Sequence, residues 1–422
     1  MGLYTLAVVA VLLSASRPLR GNCAGDVDND LLPVVLVPGY GSSQLEARLT
    51  AAYEPPAPRC GARKGEGWFR LWPINHTAMR QNPADAPCFA DQMSLVYDAV
   101  ADDYGDAAGV VTRAPFFAST RGLIGWDRLV EQLEATGYRD GETLFGAPYD
   151  FRYSVAPRYY GRLAPLIESA SSRNRGRPVV LVAHSQGCAL AYQFLLSRPL
   201  AWRRRFVKHA VLLSAALGGF VEGMNILAAG MDYGLPNLAR EATIRLARSQ
   251  QSALWRLPTP IVFGDRPLVV TPDNNNTTYS AHQITEFLDA IGFPEGVRPY
   301  LTRVLPLWEA LPPPMVPVTS MIGAGVSTPE TFVYGGDGFT GRPKVAYGDG
   351  DGNINMASLV AVEKEWSGVE GQVLKVVRFP GAHHGDFLTV DFAVKKVVAE
   401  IHEVGRSVKL CSKTGMQRRA MQ

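Results

Sequence analysis

Short apolar runs alternate along this chain with longer stretches of helical periodicity. Residues 34–37 read "VVLV" and end in the Gly- and Ser-rich turn "PGYGSSQ". Residues 126–135 ("WDRLVEQLEA") and 160–172 carry helical spacing, with the short strand and turn "TLFGAPYDFRY" between them. Residues 179–183 form a wholly apolar run of strand length. A predicted helix follows from Gln186 to about Ser197, where Pro199 stops it, and residues 210–213 make the next strand. β-branched runs joined by helical segments are the pattern of a parallel sheet with crossover helices. Residues 218–310 lose that rhythm and are predicted to be an inserted cap. The sheet is predicted to resume at 318–322, 345–347 and 373–377, with a closing helix at 387–404. From the end of the first turn, "PGYGSSQ", to about residue 117 the composition is mixed and reads as loop. The expectation is one α/β domain over 25–422 with two excursions.

Within that frame, "VVLVAHSQG" sets Ser185 at a strand-to-helix junction. A sharp turn there strains the serine backbone and crowds the residues two before and two after it, so both must be small. Ala183 and Gly187 hold those positions, Ala183 where Gly is more usual. The turn also sets the N–H of Gln186 at a helix N-terminus, suited to a developing oxyanion. A nucleophilic serine needs a base and a group to orient that base. In the α/β-hydrolase arrangement they follow in the order Ser, Asp or Glu, His. After Ser185, His209 opens a strand, His282 lies in the cap segment and His402 falls within the closing helix. That leaves His383 and His384 in "FPGAHHGDF", after the strand at 373–377, where the base belongs.

For the acid, "VAYGDGDGNIN" supplies Asp349 and Asp351 on a Gly-rich loop. One carboxylate suffices to orient the base, and spacing does not choose between the two. The alternating Asp and Asn also suggest a calcium loop. Ile354 stands where that loop requires Gly and Val360 where it requires Glu, so no metal is expected. A second oxyanion donor is expected from "VPGYGSSQ", where Tyr40 offers its N–H between two glycines.

Composition narrows the setting. With 422 residues and 47% apolar content the chain can bury a large core, and Lys+Arg 42 against Asp+Glu 39 gives a formal charge of only +3. No basic stripe with interleaved aromatics occurs, so no nucleic-acid partner is expected. Arg203 to Arg205 read as the solvated end of a helix. Residues 1–24 open with an apolar run too short to span a bilayer and read as a signal peptide; a short membrane anchor is the alternative. Glycosylation sequons at Asn75, Asn275 and Asn276 agree with passage through the secretory pathway. Cys60 and Cys88 bracket a Trp- and Pro-rich loop where an oxidising compartment favours a disulfide. Cys23 lies near the expected cleavage point, Cys188 reads as a packed thiol, and Cys411 lies in a basic tail.

Taken in order, "PVVLVPGYGSSQLEARL", "GWFRLW", "GAPYDFRY", "VAHSQGCALAYQFL", "AYGDGDGNIN" and "PGAHHGDF" resemble the lecithin:cholesterol acyltransferase family, which includes lysosomal phospholipase A2. The resemblance spans residues 33–400 and is nearest in style to the plant lecithin:cholesterol acyltransferase-like proteins. It implies a nucleophile at Ser185, an acid at Asp351, a base at His384 and oxyanion donors at Tyr40 and Gln186. It further implies a Cys60–Cys88 disulfide closing a loop whose Trp68, Phe69, Leu71 and Trp72 meet a lipid surface, within an interface region at about 50–117. A mobile lid is implied near 242–260. Ala183 in place of Gly, Tyr40 at the oxyanion position and the lack of cysteines for a second disulfide depart from the family pattern.

The resulting expectation is a secreted, vacuolar or otherwise lumenal α/β-hydrolase that needs no cofactor. It would cleave a phospholipid acyl ester through an acyl-serine and pass the acyl group to water or to an alcohol such as a sterol. Its partners would be phospholipid and a membrane or lipid-particle surface. The rival readings are a hydrolase of neutral or soluble esters and a lipid-binding protein that keeps the fold without turnover.

Overall fold

Six parallel strands carry the fold of this computed structural model, which describes residues 31–154, 157–231, 233–235, 238–271 and 277–419. The expected signal peptide, Cys23, Asn275 and Asn276 lie outside the described residues, as does the side chain of Cys411. The strands are β1 (Val34–Val37), β2 (Leu144–Gly146), β3 (Val179–His184), β4 (Val207–Leu213), β5 (Val318–Ala324) and β6 (Leu374–Pro380). They lie in the order β6-β5-β4-β3-β1-β2. Successive strand residues face opposite sides of a sheet. Val35, Val37, Leu181, Ala183, Ala210 and Leu212 enter one core, with α2 (Pro157–Arg173), α3 (Gln186–Leu196) and much of the 218–310 region. Val34, Leu36, Val180, Val182, Val211 and Leu213 enter the other, against α1 (Asp127–Glu134) and α4 (Asp391–Arg419). A sheet covered on both faces demands apolar residues at consecutive positions, which is why "VVLV" and "VVLVA" are unbroken. This is the α/β-hydrolase type of architecture expected from the sequence.

Three expectations need correction. Residues 345–347 do form a strand, Lys344–Gly348, but it belongs to a separate four-stranded sheet with Thr328–Val333, Val269–Thr271 and Thr277–Tyr279. Its side chains are exposed or half-buried, so it lacks the two covered faces of a central strand. The closing helix arrives in two pieces, Asp386–Thr389 and α4, with Val390 extended between them. The stretch read as loop contains a three-stranded sheet (Phe69–Trp72, Leu45–Leu49, Val110–Arg113) and the hairpin Leu95–Asp98 with Asp103–Asp106. These strands have four or five residues and carry charges on their outer faces ("LEARL", "DYGD"), too little for periodicity to register.

The disulfide Cys60–Cys88 closes this lobe. Arg152 pins it to the body: fully buried, it reaches Asp150 at 2.6 Å and Asp106 at 2.7 Å. It also donates to the Met93 carbonyl and to Thr112 Oγ1. Burial opposes the guanidinium charge, but the two carboxylates more than restore it.

Candidate active site

The end of β3 delivers Ser185 at the head of α3 with φ 54° and ψ −126°, a left-handed backbone that a non-glycine residue adopts only under constraint. The constraint is visible at Gly187, where a Cβ would lie 2.3 Å from the Pro38 carbonyl oxygen at the end of β1. No side chain fits there. Ala183, two residues before the serine, is accommodated with no exposure inside the core. Ser185 N–H donates to the Leu213 carbonyl at 2.9 Å, tying the turn to β4.

His384 comes from the loop after β6. Its Nε2 lies 2.9 Å from Ser185 Oγ, and its Nδ1 lies 2.8 Å from Asp351 Oδ2. The neighbouring His383 is exposed and donates its backbone N–H to Asp386. Asp351 is fully buried, and its Oδ1 accepts from the N–H groups of Ile354 and Asn353 at 2.7 and 3.1 Å. Burial raises its pKa, but the hydrogen bond and charge of His384 and these two backbone donors outweigh it, leaving the carboxyl below its ordinary range. Asp349 is exposed and instead accepts from Gly325 N–H at 2.6 Å. The choice that spacing left open is thus made by packing. A bridge between Val326 and Asp351 seats the acid beyond the end of β5, although Lys344–Gly348 immediately precedes it in sequence.

Beneath the site lies His184. Its Nε2–H donates to the His384 carbonyl at 2.9 Å, and its Nδ1 is buried without a partner among the described residues. Burial, reinforced by the neighbouring His384, pushes its pKa down to about 3 against that hydrogen bond, so it stays neutral.

Ser185, His384, Tyr40 and Gln186 all line one cavity of about 850 Å³. Gln186 is the first residue of α3, so its N–H has no intrahelical acceptor and points along the positive end of the helix. Gly39, just before Tyr40, packs so close to the serine that a Cβ would lie 3.0 Å from that of Ser185. Tyr40 itself is held from above. Its hydroxyl donates to Gln250 Oε1 (2.6 Å), Gln250 Nε2 donates to Tyr233 (2.7 Å), and the two tyrosine oxygens lie 2.6 Å apart. The stretch expected as a mobile lid is buried from Gln250 to Leu257, with Trp255 and Arg256 lining this cavity, and backbone bonds from Ser252 to Arg152 and from Phe220 to Arg256 hold it.

Of the four expected interface residues, Trp68 alone is exposed, with its ring under the guanidinium groups of Arg113 and Arg48. Phe69 is half-buried beside Arg63. Leu71 and Trp72 require correction. Strand alternation turns Leu71 into the core. Trp72 packs on Phe151 and Tyr233 and donates its Nε1–H to the Gly41 carbonyl at 2.6 Å, buttressing the Tyr40 loop. Asn75 is exposed and caps the helix His76–Gln81. Residues missed from sequence are Arg256 of the cavity wall, and Tyr233 and Gln250, which hold the Tyr40 hydroxyl. Arg256 had a signal, a single charge inside the apolar run "ALWRLP".

The family model for "Lecithin:cholesterol acyltransferase" matches residues 68–298. The chain is 68% identical to lecithin-cholesterol acyltransferase-like 1 of Oryza sativa subsp. japonica, over 97% of this chain and 94% of the relative. It is 34% identical to lysosomal phospholipase A and acyltransferase of Canis lupus familiaris, over 84% and 88% of the two chains. Among solved structures, the Tle4–Tli4 complex aligns with a TM-score of 0.50 at 13% identity, covering 90% of this chain and 98% of that one, a likeness of fold alone.

Proposed function

The chain belongs to the lecithin:cholesterol acyltransferase family, and from that premise we propose that it is a serine-dependent lipid acyl hydrolase and acyltransferase. The observation that carries the reading is the relay Ser185–His384–Asp351, at 2.9 and 2.8 Å, opening on a cavity at the end of a parallel sheet. Ser185 donates its proton to His384 as Oγ attacks the acyl carbonyl. The ionised Asp351 accepts from Nδ1–H and stabilises the imidazolium that forms. The N–H groups of Tyr40 and Gln186 take the developing oxyanion. His384 returns its proton to the departing alcohol, leaving an acyl-serine. Water or an alcohol such as a sterol then attacks the acyl carbon with His384 as base, and Ser185 Oγ recovers the proton.

The acyl donor is a phospholipid, in keeping with a relative named as a phospholipase and acyltransferase. Trp68 and Phe69, ringed by Arg48, Arg113 and Arg63, form the edge that meets the lipid surface, since aromatic rings beside cations suit a polar–apolar boundary. The protein works in the secretory pathway: the Cys60–Cys88 disulfide suits an oxidising compartment, and the canine relative is named for the lysosome. A fluorophosphonate probe should label the wild type and spare Ser185→Ala. Incubation with labelled phosphatidylcholine, with and without sterol, should release fatty acid or sterol ester, identified by mass. Absence of labelling in correctly folded protein would overturn the enzyme reading.

A further inference from the structure

Arg256 is a charge in the wrong place for a structural role. It is only 8% exposed, yet it lines the same cavity as Ser185 and His384. Its Nε donates to the Ser252 carbonyl at 3.2 Å, and its guanidinium carbon sits 4.1 Å from the centre of the Tyr40 ring. Among the described residues no carboxylate lies within ion-pair distance of it, and its two terminal nitrogens have no hydrogen-bond partner. The one carboxylate among the described cavity-lining residues, Glu222, accepts from Asn225 and is pushed toward its neutral form by burial. It is not the counter-ion. A buried cation without an anion is costly, and a guanidinium presents paired donors shaped for phosphate.

We propose that Arg256 holds the phosphodiester of the acyl donor inside the cavity, which makes it a specificity-determining residue for phosphate-bearing esters. This rests on the acyl-transfer reading above. The position is apt, because the guanidinium stacks on Tyr40, whose backbone lies beside Ser185. An ester engaged by the serine then places a phosphate attached to the same glycerol against Arg256. The stack on Tyr40 and the bond to Ser252 hold the guanidinium in the lining of the cavity.

The test compares wild type, Arg256→Leu and Arg256→Lys on two substrates, dispersed phosphatidylcholine and neutral p-nitrophenyl butyrate. It adds glycerophosphocholine and inorganic phosphate as inhibitors of butyrate hydrolysis. The ratio of kcat/KM on phosphatidylcholine to that on the butyrate should fall roughly 10- to 100-fold in Arg256→Leu and less in Arg256→Lys, the loss of charge-assisted hydrogen bonds. Inhibition by glycerophosphocholine should weaken by a similar factor. Stronger inhibition by glycerophosphocholine than by inorganic phosphate marks the lipid headgroup as the source; the reverse order, or an unchanged ratio in Arg256→Leu, overturns the proposal. A wild type that cleaves the butyrate but no phospholipid would sink the phospholipid reading. In that event Arg256-dependent inhibition by glycerophosphocholine would still uphold a phosphodiester site, and its absence would remove it.

Discussion

The catalytic edge of the central sheet and the small lobe at residues 45–113 are held by different physics. At the catalytic edge, backbone does the holding. A left-handed serine, a glycine with no room for a methyl group and a carboxylate bonded by two N–H groups leave each side chain a single place to be. In the lobe, strands of four or five residues cannot bury enough apolar surface to stand alone. A disulfide, the Arg152 cluster and cation–π stacks around Trp68 take over. Rigid backbone suits chemistry that tolerates little displacement, and cross-linked short strands would suit the lipid contact proposed for the lobe.

The comparison is broken most directly at the serine. Ser185→Ala should lower turnover of any ester by about 10⁵-fold or more while leaving vesicle binding in place, measured by rate assay and co-sedimentation. Asp351→Asn should cost about 10⁴-fold in kcat. Asp349→Asn, whose side chain braces only the Gly325 turn, should cost less than about 10-fold. Comparable losses in both variants would sink the assignment of roles on that loop.

The lobe should respond in stability before chemistry. Replacing both Cys60 and Cys88 by Ser opens a loop with a sequence separation of 28, which should destabilise the protein by about 3 kcal/mol in urea titration. The remaining folded fraction should still label with fluorophosphonate. Equal loss of labelling per folded molecule would show that the two regions are not separable.

An effect of comparable size, spread over pH, belongs to His184. Its folded pKa is about 3 against an ordinary 6.5. Below 6.5 the unfolded chain takes up a proton that the folded residue refuses until about pH 3, so stability falls with pH in that window. The slope is about 1.4 kcal/mol per pH unit. Urea midpoints between pH 7 and 4 should fall less steeply in His184→Gln than in wild type. The smallest effect is expected at Trp68→Ala, where the ratio of vesicle to soluble-ester turnover should drop about fivefold, about one cation–π interaction. The same drop from Trp72→Ala without loss on the soluble ester would contradict the buttress role of Trp72.

The sequence by itself determined the central architecture, because a parallel sheet buried on both faces must be written as unbroken apolar runs. It also pointed to Ser185 and to the loop of His384, which the fold brings to 2.9 Å of each other, since small residues flanking Ser185 and the order of later loops follow from backbone geometry. Even Ala183, a departure from pattern, left that reading intact. Tertiary structure alone decided the rest. It chose Asp351 over Asp349, through burial and two N–H bonds that spacing does not encode. It moved Leu71 and Trp72 from a lipid surface to the core and the Tyr40 loop, because strand facing depends on which partner is paired. It buried residues 250–257 and set Arg256 in the cavity wall without a counter-ion among the described residues. Local pattern reports what a backbone can do, whereas a charge, a carboxylate or an indole acquires its role from neighbours distant in the chain.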